Sequence, residues 1–351
     1  MSWLVSDEIN GKLNHSRKSL FKGGAIYWSP WTPALPVYGQ MYLDFETLDE
    51  GRSEIGLPIQ YPVYVSGGMY QKFQKGRMYF KNGDSKAYEV HGSILDRYLR
   101  LGHCRSFLRW PLSHESDIKK NGITVGKFSE FEGGTIYWKS GIGAYETHGS
   151  IRRKYLDYGG PTGPLGFPRT NETDIPNHPG HGKFNVFQGG VVVWYGSYQQ
   201  TYICPRFKIH FQRIETTDQD PWPKGQNDIF MHLYVYRNGA LVSHVRKPNS
   251  GDYGGHITKT INYTLPGTFF PDWYNTEYKF RCRAKDADWG DADDLLGDLT
   301  TKLNIHNAWG QRHNNGIFER QAVKHMKITW SVRPQFDSSQ FTGRNWNFWG
   351  V

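Results

Sequence analysis

The chain has 351 residues, of which 16% are aromatic, with 40 glycines and a mean hydropathy of −0.67. That length supports two domains with their own cores, and no apolar run approaches the roughly 18 residues of a transmembrane helix. The net charge of +9 is spread out, +5 over residues 1–200 and +4 over residues 201–351. Spread charge argues against a nucleic-acid footprint, which clusters on one face. It leaves a generally basic surface, suited to anionic walls or lipids. The opening MSWLVSDEIN has no basic or apolar leader region, so no signal peptide is visible in it: either one has been removed or export uses another route. Cys104, Cys204 and Cys282 are an odd count that forms no disulfide framework, although one pair is allowed. Cys282 reads as a small buried hydrophobe.

The first two hundred residues repeat. The anchor Phe-x-x-Gly-x-Ile-Tyr-Trp occurs as 21-FKGGAIYW-28, 73-FQKGRMYF-80, 131-FEGGTIYW-138 and 187-FQGGVVVW-194. A glycine step follows in 39-GQM-41, 92-GSI-94 and 149-GSI-151, and then a tetrad in 55-IGLP-58, 108-LRWP-111 and 165-LGFP-168. A polar-x-Glu step comes next, as in Glu115 and Glu172, and 6-SDE-8 matches it near the start. The Gly pair of the anchor suits a tight turn, and the Ile-Tyr-Trp after it suits a strand. Ile151, Tyr155 and Leu156 fall at helical spacing, and Gly159-Gly160 ends that helix. Each unit therefore reads as a hairpin plus a short helix. Such a unit cannot bury its own apolar face and must stack on its neighbours.

This series resembles the LGFP repeat, a module found in tandem in bacterial surface and cell-wall-associated proteins. The resemblance spans about residues 1–202. The third unit matches fully; elsewhere Leu57 and Trp110 replace the Phe of the tetrad, and Arg109 replaces its Gly. The chain begins just after the place of a further tetrad. A closed, propeller-like ring of units is expected, binding wall polysaccharide. Strand alternation puts one member of each Tyr-Trp pair inward. The Trp is read as packing between units, and Tyr27, Tyr79, Tyr137 and Tyr195 as the outward, sugar-facing residues. Glu115, Glu172, His91 and His148 recur with the architecture, which favours a structural role over catalysis.

From Cys204 the repeat stops. RFKIHFQRIE (206–215), MHLYVY (231–236), YKFRCRAK (278–285) and KHMKITWSV (324–332) read as strands, several of them with clear alternation, and no long helix intervenes. That pattern implies an antiparallel β-sandwich over 203–337, followed by an aromatic tail, 338–351. Into the third strand runs an acidic loop with Asp286, Asp288, Asp291, Asp293, Asp294 and Asp298. Close-set carboxylates suit Ca2+, a hard cation with six to eight oxygen ligands. The EF-hand pattern fails, because the glycine and the closing Glu are misplaced.

The loop and its flanks resemble the third calcium loop of C2 domains, and Gly-x-Asn-Asp-Ile-Phe (225–230) is similar to that family's first loop. The resemblance implies Ca2+ held by Asp228, with Asp220 or Asp218 upstream, and by Asp286, Asp288, Asp291 and Asp294. Ile229 stands where the family has Pro, and the first loop is longer. Trp222 and Trp289 then sit in loops that touch a membrane, or that flank a Ca2+-dependent sugar site. A solvated acidic loop and a purely structural Ca2+ are the plainer alternatives.

The expectation is a mainly β, non-enzymatic, secreted or cell-surface protein of two modules: a propeller-like LGFP domain on wall polysaccharide and a C2-like sandwich on an anionic membrane. Two competing classes are a structural component of a surface or injection apparatus and a glycan-active hydrolase using Glu115 or Glu172. No nucleophile–base set, phosphate loop or zinc motif is visible.

Overall fold

The structure is a computed structural model that describes residues 3–13, 15–51, 54–177, 181–216, 229–253, 258–271, 275–286, 294–310, 317–322 and 326–334. The chain divides into two compact units, Met1–Arg152 with Phe167–Asn171, and Arg153–Gly166 with Glu172–Val351. Among the described residues the architecture is mainly β, in six antiparallel four-stranded sheets.

Each repeat is a four-stranded meander rather than a hairpin. The first sheet is β1 (Leu4–Asn10), β2 (Arg17–Phe21), β3 (Gly24–Ser29) and β4 (Thr32–Tyr38). The second is β5 (Val63–Val65), β6 (Gly68–Lys72), β7 (Gly76–Lys81) and β8 (Ala87–His91). The third is β9 (Ser116–Lys120), β10 (Ile123–Phe131), β11 (Gly134–Lys139) and β12 (Gly143–His148). The fourth is β13 (Thr173–Asp174), β14 (Gly182–Phe187), β15 (Gly190–Tyr195) and β16 (Gln200–Pro205). Three helices follow the first three sheets: α1 (Gly39–Thr47), α2 (Gly92–Arg100) and α3 (Gly149–Asp157). The leading strands escape a periodicity reading because they are short or polar; β9 is Ser-Asp-Ile-Lys-Lys with one buried residue.

Each of the first two helices packs between its own sheet and the back of the next. Met41 and Phe45 of α1 share a core with Ala25 and Tyr27 of the first sheet and with Phe73 and Met78 of the second. Tyr98 of α2 does the same between Tyr79 and Phe131. The anchor phenylalanine is the contact point, with Phe45–Phe73, Tyr98–Phe131 and Tyr155–Phe187 ring centroids 5.0, 4.4 and 4.5 Å apart. Burying an aromatic ring of this kind stabilises by about 1.5–3 kcal/mol.

The tetrad is the second stitch. Its first carbonyl accepts the N–H of the third anchor residue in the next sheet: Lys75 to Ile55 at 2.8 Å, Gly133 to Leu108 at 3.0 Å and Gly189 to Leu165 at 2.8 Å. The second tetrad residue is left-handed in all three copies, with φ of 75° at Gly56, 57° at Arg109 and 64° at Gly166. That conformation explains the glycine, and Arg109 adopts it at a steric cost. Near the N-terminus, Trp3 and Leu4 already fill tetrad positions. Lys22 N–H donates to the Trp3 carbonyl at 2.9 Å, as Gln74 and Glu132 donate to Leu57 and Trp110.

Among the described residues no closed barrel or propeller forms, so the propeller-like ring is corrected. The physical reason is that the apolar back of a sheet is covered by the helix and tetrad that precede it in the chain, and this cover needs no ring closure.

In the second unit the fourth sheet shares one core with an eight-stranded sandwich. One sandwich sheet holds β17 (Phe207–Thr216), β20 (Thr258–Thr264), β23 (Ile317–Ala322) and β24 (Met326–Pro334), in the order β20-β17-β24-β23. The other holds β18 (Ile229–Arg237), β19 (Ala240–Lys247), β21 (Tyr278–Asp286) and β22 (Asp294–Leu303), in the order β19-β18-β21-β22. The inward alternation read from Phe207, Ile209 and Phe211 and from Phe280, Cys282 and Ala284 is present, and all six are buried. The three cysteines are free thiols.

Candidate functional site

The Tyr-Trp pairs point the opposite way to the expectation. Tyr27, Tyr79, Tyr137 and Tyr195 are all buried, whereas Trp28 is 42% exposed. Their rings gain most by burial in the cores of the repeats. The Tyr27 hydroxyl donates to Glu46 Oε1 at 2.6 Å. The Tyr195 hydroxyl donates to the Ile305 carbonyl and accepts the Ala308 N–H at 3.0 Å. Burial pushes the Tyr79 phenol well above its ordinary value. A buried ring offers no face to a sugar, so these four are corrected to structural posts.

Exposed tyrosines lie elsewhere, Tyr64 at the seam of the first and second sheets and Tyr61 three residues before it in the chain. Tyr61 and Tyr64 are 64% and 69% exposed. The Tyr64 hydroxyl shares a 2.5 Å hydrogen bond with that of Tyr38, the last residue of β4. β4 presents Tyr38 where the chain turns into α1, while Tyr64 stands at the centre of the edge strand β5. Sequence reasoning missed them because they lie outside the repeated anchors. A signal existed: the corresponding position to Tyr61 in the next unit is His114, so the phenol there is not required by the fold.

The next seam is charged instead of aromatic. His91 Nδ1 lies 2.7 Å from Glu89, and its Nε2 lies 3.2 Å from both Glu115 and Glu54. Lys127 reaches Glu115 at 3.1 Å. Burial alone would lower the His91 pKa, but hydrogen bonds to Glu115 and Glu89 outweigh it and push it up to about 10. Burial would raise Glu89, but the nearby rings of His114 and His91 hold it at about 2. With its carboxylate shared by His91 and Lys127, Glu115 holds the seam together. Among the described residues no group of three or more His, Cys, Asp and Glu is arranged to hold a metal.

On the sandwich, the calcium-loop residues fall mostly outside the described residues: Asp218, Asp220, Trp222, Asp228, Asp288, Trp289, Asp291 and Asp293. Asp286 and Asp294 end the two strands that flank the acidic loop and are backbone partners in the ladder. Ile229, the residue after Asp228, pairs with Asp286 on the other side. Backbone register thus brings two of the acidic positions, Asp286 and Asp294, to one end of one sheet, with Ile229 beside them. Carboxylate oxygens are the donors Ca2+ prefers, so the residue types fit that ion. Asp298 is engaged elsewhere, in a paired hydrogen bond with the Arg281 guanidinium that holds its carboxyl below the ordinary range.

The outward face of the same sheet is basic and aromatic. His232 and His244 share a 2.8 Å hydrogen bond, and Tyr234 stacks on His244 at 4.5 Å. Lys279 sits 4.3 Å over Tyr236. Cations over rings at this range are favourable by about 0.5–1 kcal/mol, and the face as a whole attracts anions.

The LGFP repeat family model matches residues 4–49, 55–106, 110–163 and 165–203, more than half of the chain. Among the curated proteins none matches. Three similar solved structures contain C2 domains. A structure of a C2 domain shares 14% identity at a TM-score of 0.24, covering 36% of this chain and 97% of the other. A C2 domain of plant extended synaptotagmin 1 shares 10% at 0.25, covering 38% and 96%. A structure of extended synaptotagmin 2 with its SMP domain and two C2 domains shares 10% at 0.24, covering 62% and 56%. Scores of this size carry no argument about the sandwich, whose class rests on its observed sheets.

Proposed function

Because the chain belongs to the LGFP-repeat family, we propose that it is a non-enzymatic surface protein whose repeats hold cell-wall polysaccharide. The observation that carries this reading is the exposed Tyr64, hydrogen-bonded to Tyr38 across the first seam, with the exposed Tyr61 three residues before it in the chain. The exposed rings offer faces for sugar C–H groups, and their hydroxyls can donate to and accept from sugar hydroxyls. The family's association with cell surfaces supplies the polymer. The recurrent Glu115 is engaged by His91 and Lys127, which favours binding over hydrolysis.

The sandwich is the second module. In this reading Asp220, Asp228, Asp286, Asp288, Asp291 and Asp294 hold Ca2+, and the ion bridges to an anionic membrane contacted by Trp222 and Trp289. The shared sheet end of Asp286, Asp294 and Ile229 supports it, as does the basic face of the same sheet.

Co-sedimentation of the Tyr61→Ala/Tyr64→Ala chain with purified bacterial walls tests the first half. Two rings at about 1 kcal/mol each make the expected loss roughly tenfold or more, at an unchanged melting midpoint. Undiminished wall binding by a folded variant removes these tyrosines from the account.

A further inference from the structure

Two phenols from different sheets meet at the first seam. Tyr38 ends β4, and Tyr64 is the central residue of β5. Their hydroxyl oxygens are 2.5 Å apart, joined by a hydrogen bond across 26 residues of chain. The two rings are held differently. Tyr38 packs against the core of the first seam, which fixes its ring. Tyr64 is 69% exposed and open to a large reagent. Burial and the hydrogen bond with Tyr64 push the Tyr38 phenol up to about 12, so the pair stays neutral and joined at physiological pH.

The repeat does not require this pair. Tyr38 immediately precedes the glycine step, where the later units have His91 and His148. Tyr64 stands six residues after the tetrad proline, where they have Asp117 and Asp174. Both positions therefore change together, and the second seam closes with His91 taken up by Glu89 and Glu115. What the first seam gains is a chemistry that His and Asp lack. A phenol can lose an electron and a proton to give a radical that couples at the ring carbon beside its oxygen.

We propose that Tyr38 and Tyr64 form an oxidative cross-linking site, converted to dityrosine by a haem peroxidase with hydrogen peroxide, and that the new bond locks the first two repeats together. Each phenol gives up one electron and its hydroxyl proton. The two radicals join through the ring carbons next to their oxygens, and the hydrogens displaced from those carbons return to the oxygens. The chain loses two hydrogens in all. One hydrogen peroxide takes the two electrons and two protons and becomes two molecules of water. A partner already held in contact acts at high effective concentration, which favours coupling within the chain over coupling between chains. As a disulfide does, the bond closes a loop that the unfolded chain must keep, and so stabilises the seam. Cross-linking does not depend on sugar binding, and it leaves both hydroxyls in place.

The test treats the full chain with a haem peroxidase and hydrogen peroxide. The expected product is a monomer whose intact mass is lower by two hydrogens, with dityrosine fluorescence and a raised melting midpoint. Tryptic mapping should join the Tyr38 and Tyr64 peptides. Tyr38→Phe and Tyr64→Phe should each abolish this product, whereas Tyr61→Phe should keep it. Each substitution removes one hydroxyl and keeps the ring, and matched melting curves will confirm that the variants fold. An unchanged mass, while free tyrosine in the same reaction is converted, overturns the proposal. So do a link mapped to other tyrosines, covalent dimers in place of the monomer, and an undiminished yield in Tyr64→Phe.

Discussion

Tyr98 lies with its ring centroid 4.4 Å from that of Phe131 and donates its hydroxyl proton to the Arg109 carbonyl. One side chain thus joins a helix, the anchor of the following sheet and the tetrad between them. Tyr155 repeats the arrangement, stacked on Phe187 and donating to the Gly166 carbonyl at 2.7 Å. Removing the Tyr98 ring in Tyr98→Ala should cost about 3–5 kcal/mol. Tyr98→Phe, which keeps the ring, should cost only about 1 kcal/mol. Denaturant midpoints of the two variants give the comparison, and equal losses would mean that the hydroxyl, not the stack, dominates.

Arg109 occupies a left-handed position at φ 57°, where its two counterparts are glycine. Arg109→Gly relieves that strain, offset in part by greater freedom of the unfolded chain. A net gain of about 0.5–1 kcal/mol is expected in chemical denaturation. A lower midpoint would show that the Arg109 side chain makes a stabilising contact larger than the strain.

The His91 cluster sets a pH window for the first unit. The folded pKa of His91 is about 10 against an ordinary 6.5, so its contribution is complete below about 6.5 and is lost as pH rises through about 10. Glu89 runs the other way: its folded pKa is about 2 against an ordinary 4.5, so its contribution is complete above 4.5 and is lost as pH falls through about 2. Both are in full effect between these windows. Denaturation at pH 6 and pH 9.5 should show a fall on the order of 2–3 kcal/mol in the parent chain, flattened in His91→Gln. Parallel falls in both proteins would place the titration elsewhere.

Ca2+ should stabilise the sandwich. At a hundredfold excess over its dissociation constant a ligand adds about 2.7 kcal/mol to the domain that binds it. Differential scanning calorimetry with Ca2+ or EDTA should therefore show one upward-shifted transition, absent in Asp286→Asn/Asp294→Asn. A shift that survives that double substitution would locate the ion away from this sheet end.

What the sequence made legible was the periodic part. The tetrads, the glycine steps and the anchors gave the units and their helices, because each marks a backbone position or a seam contact that recurs. The alternation of Phe280, Cys282 and Ala284 gave a sandwich strand directly. The direction of the Tyr-Trp pairs was not legible, since period-two alternation separates two faces without saying which is buried. In the first seams one sheet's face and the back of the next are covered by the same helix, so either alternation would have been compatible with burial. Tyr38 and Tyr64 stayed hidden because a seam between sheets brings them together over 26 residues of chain. Trp3 as a tetrad residue was visible only through its hydrogen bond with Lys22.

The most direct measurement is co-sedimentation of the full chain with purified bacterial walls and, separately, with anionic liposomes, each in Ca2+ and in EDTA. Two modules serving two surfaces predict wall binding that is indifferent to EDTA and liposome binding that requires Ca2+. If the chain stays in the supernatant with both, neither module has the partner assigned to it, and a structural component of a surface or injection apparatus becomes the account to pursue.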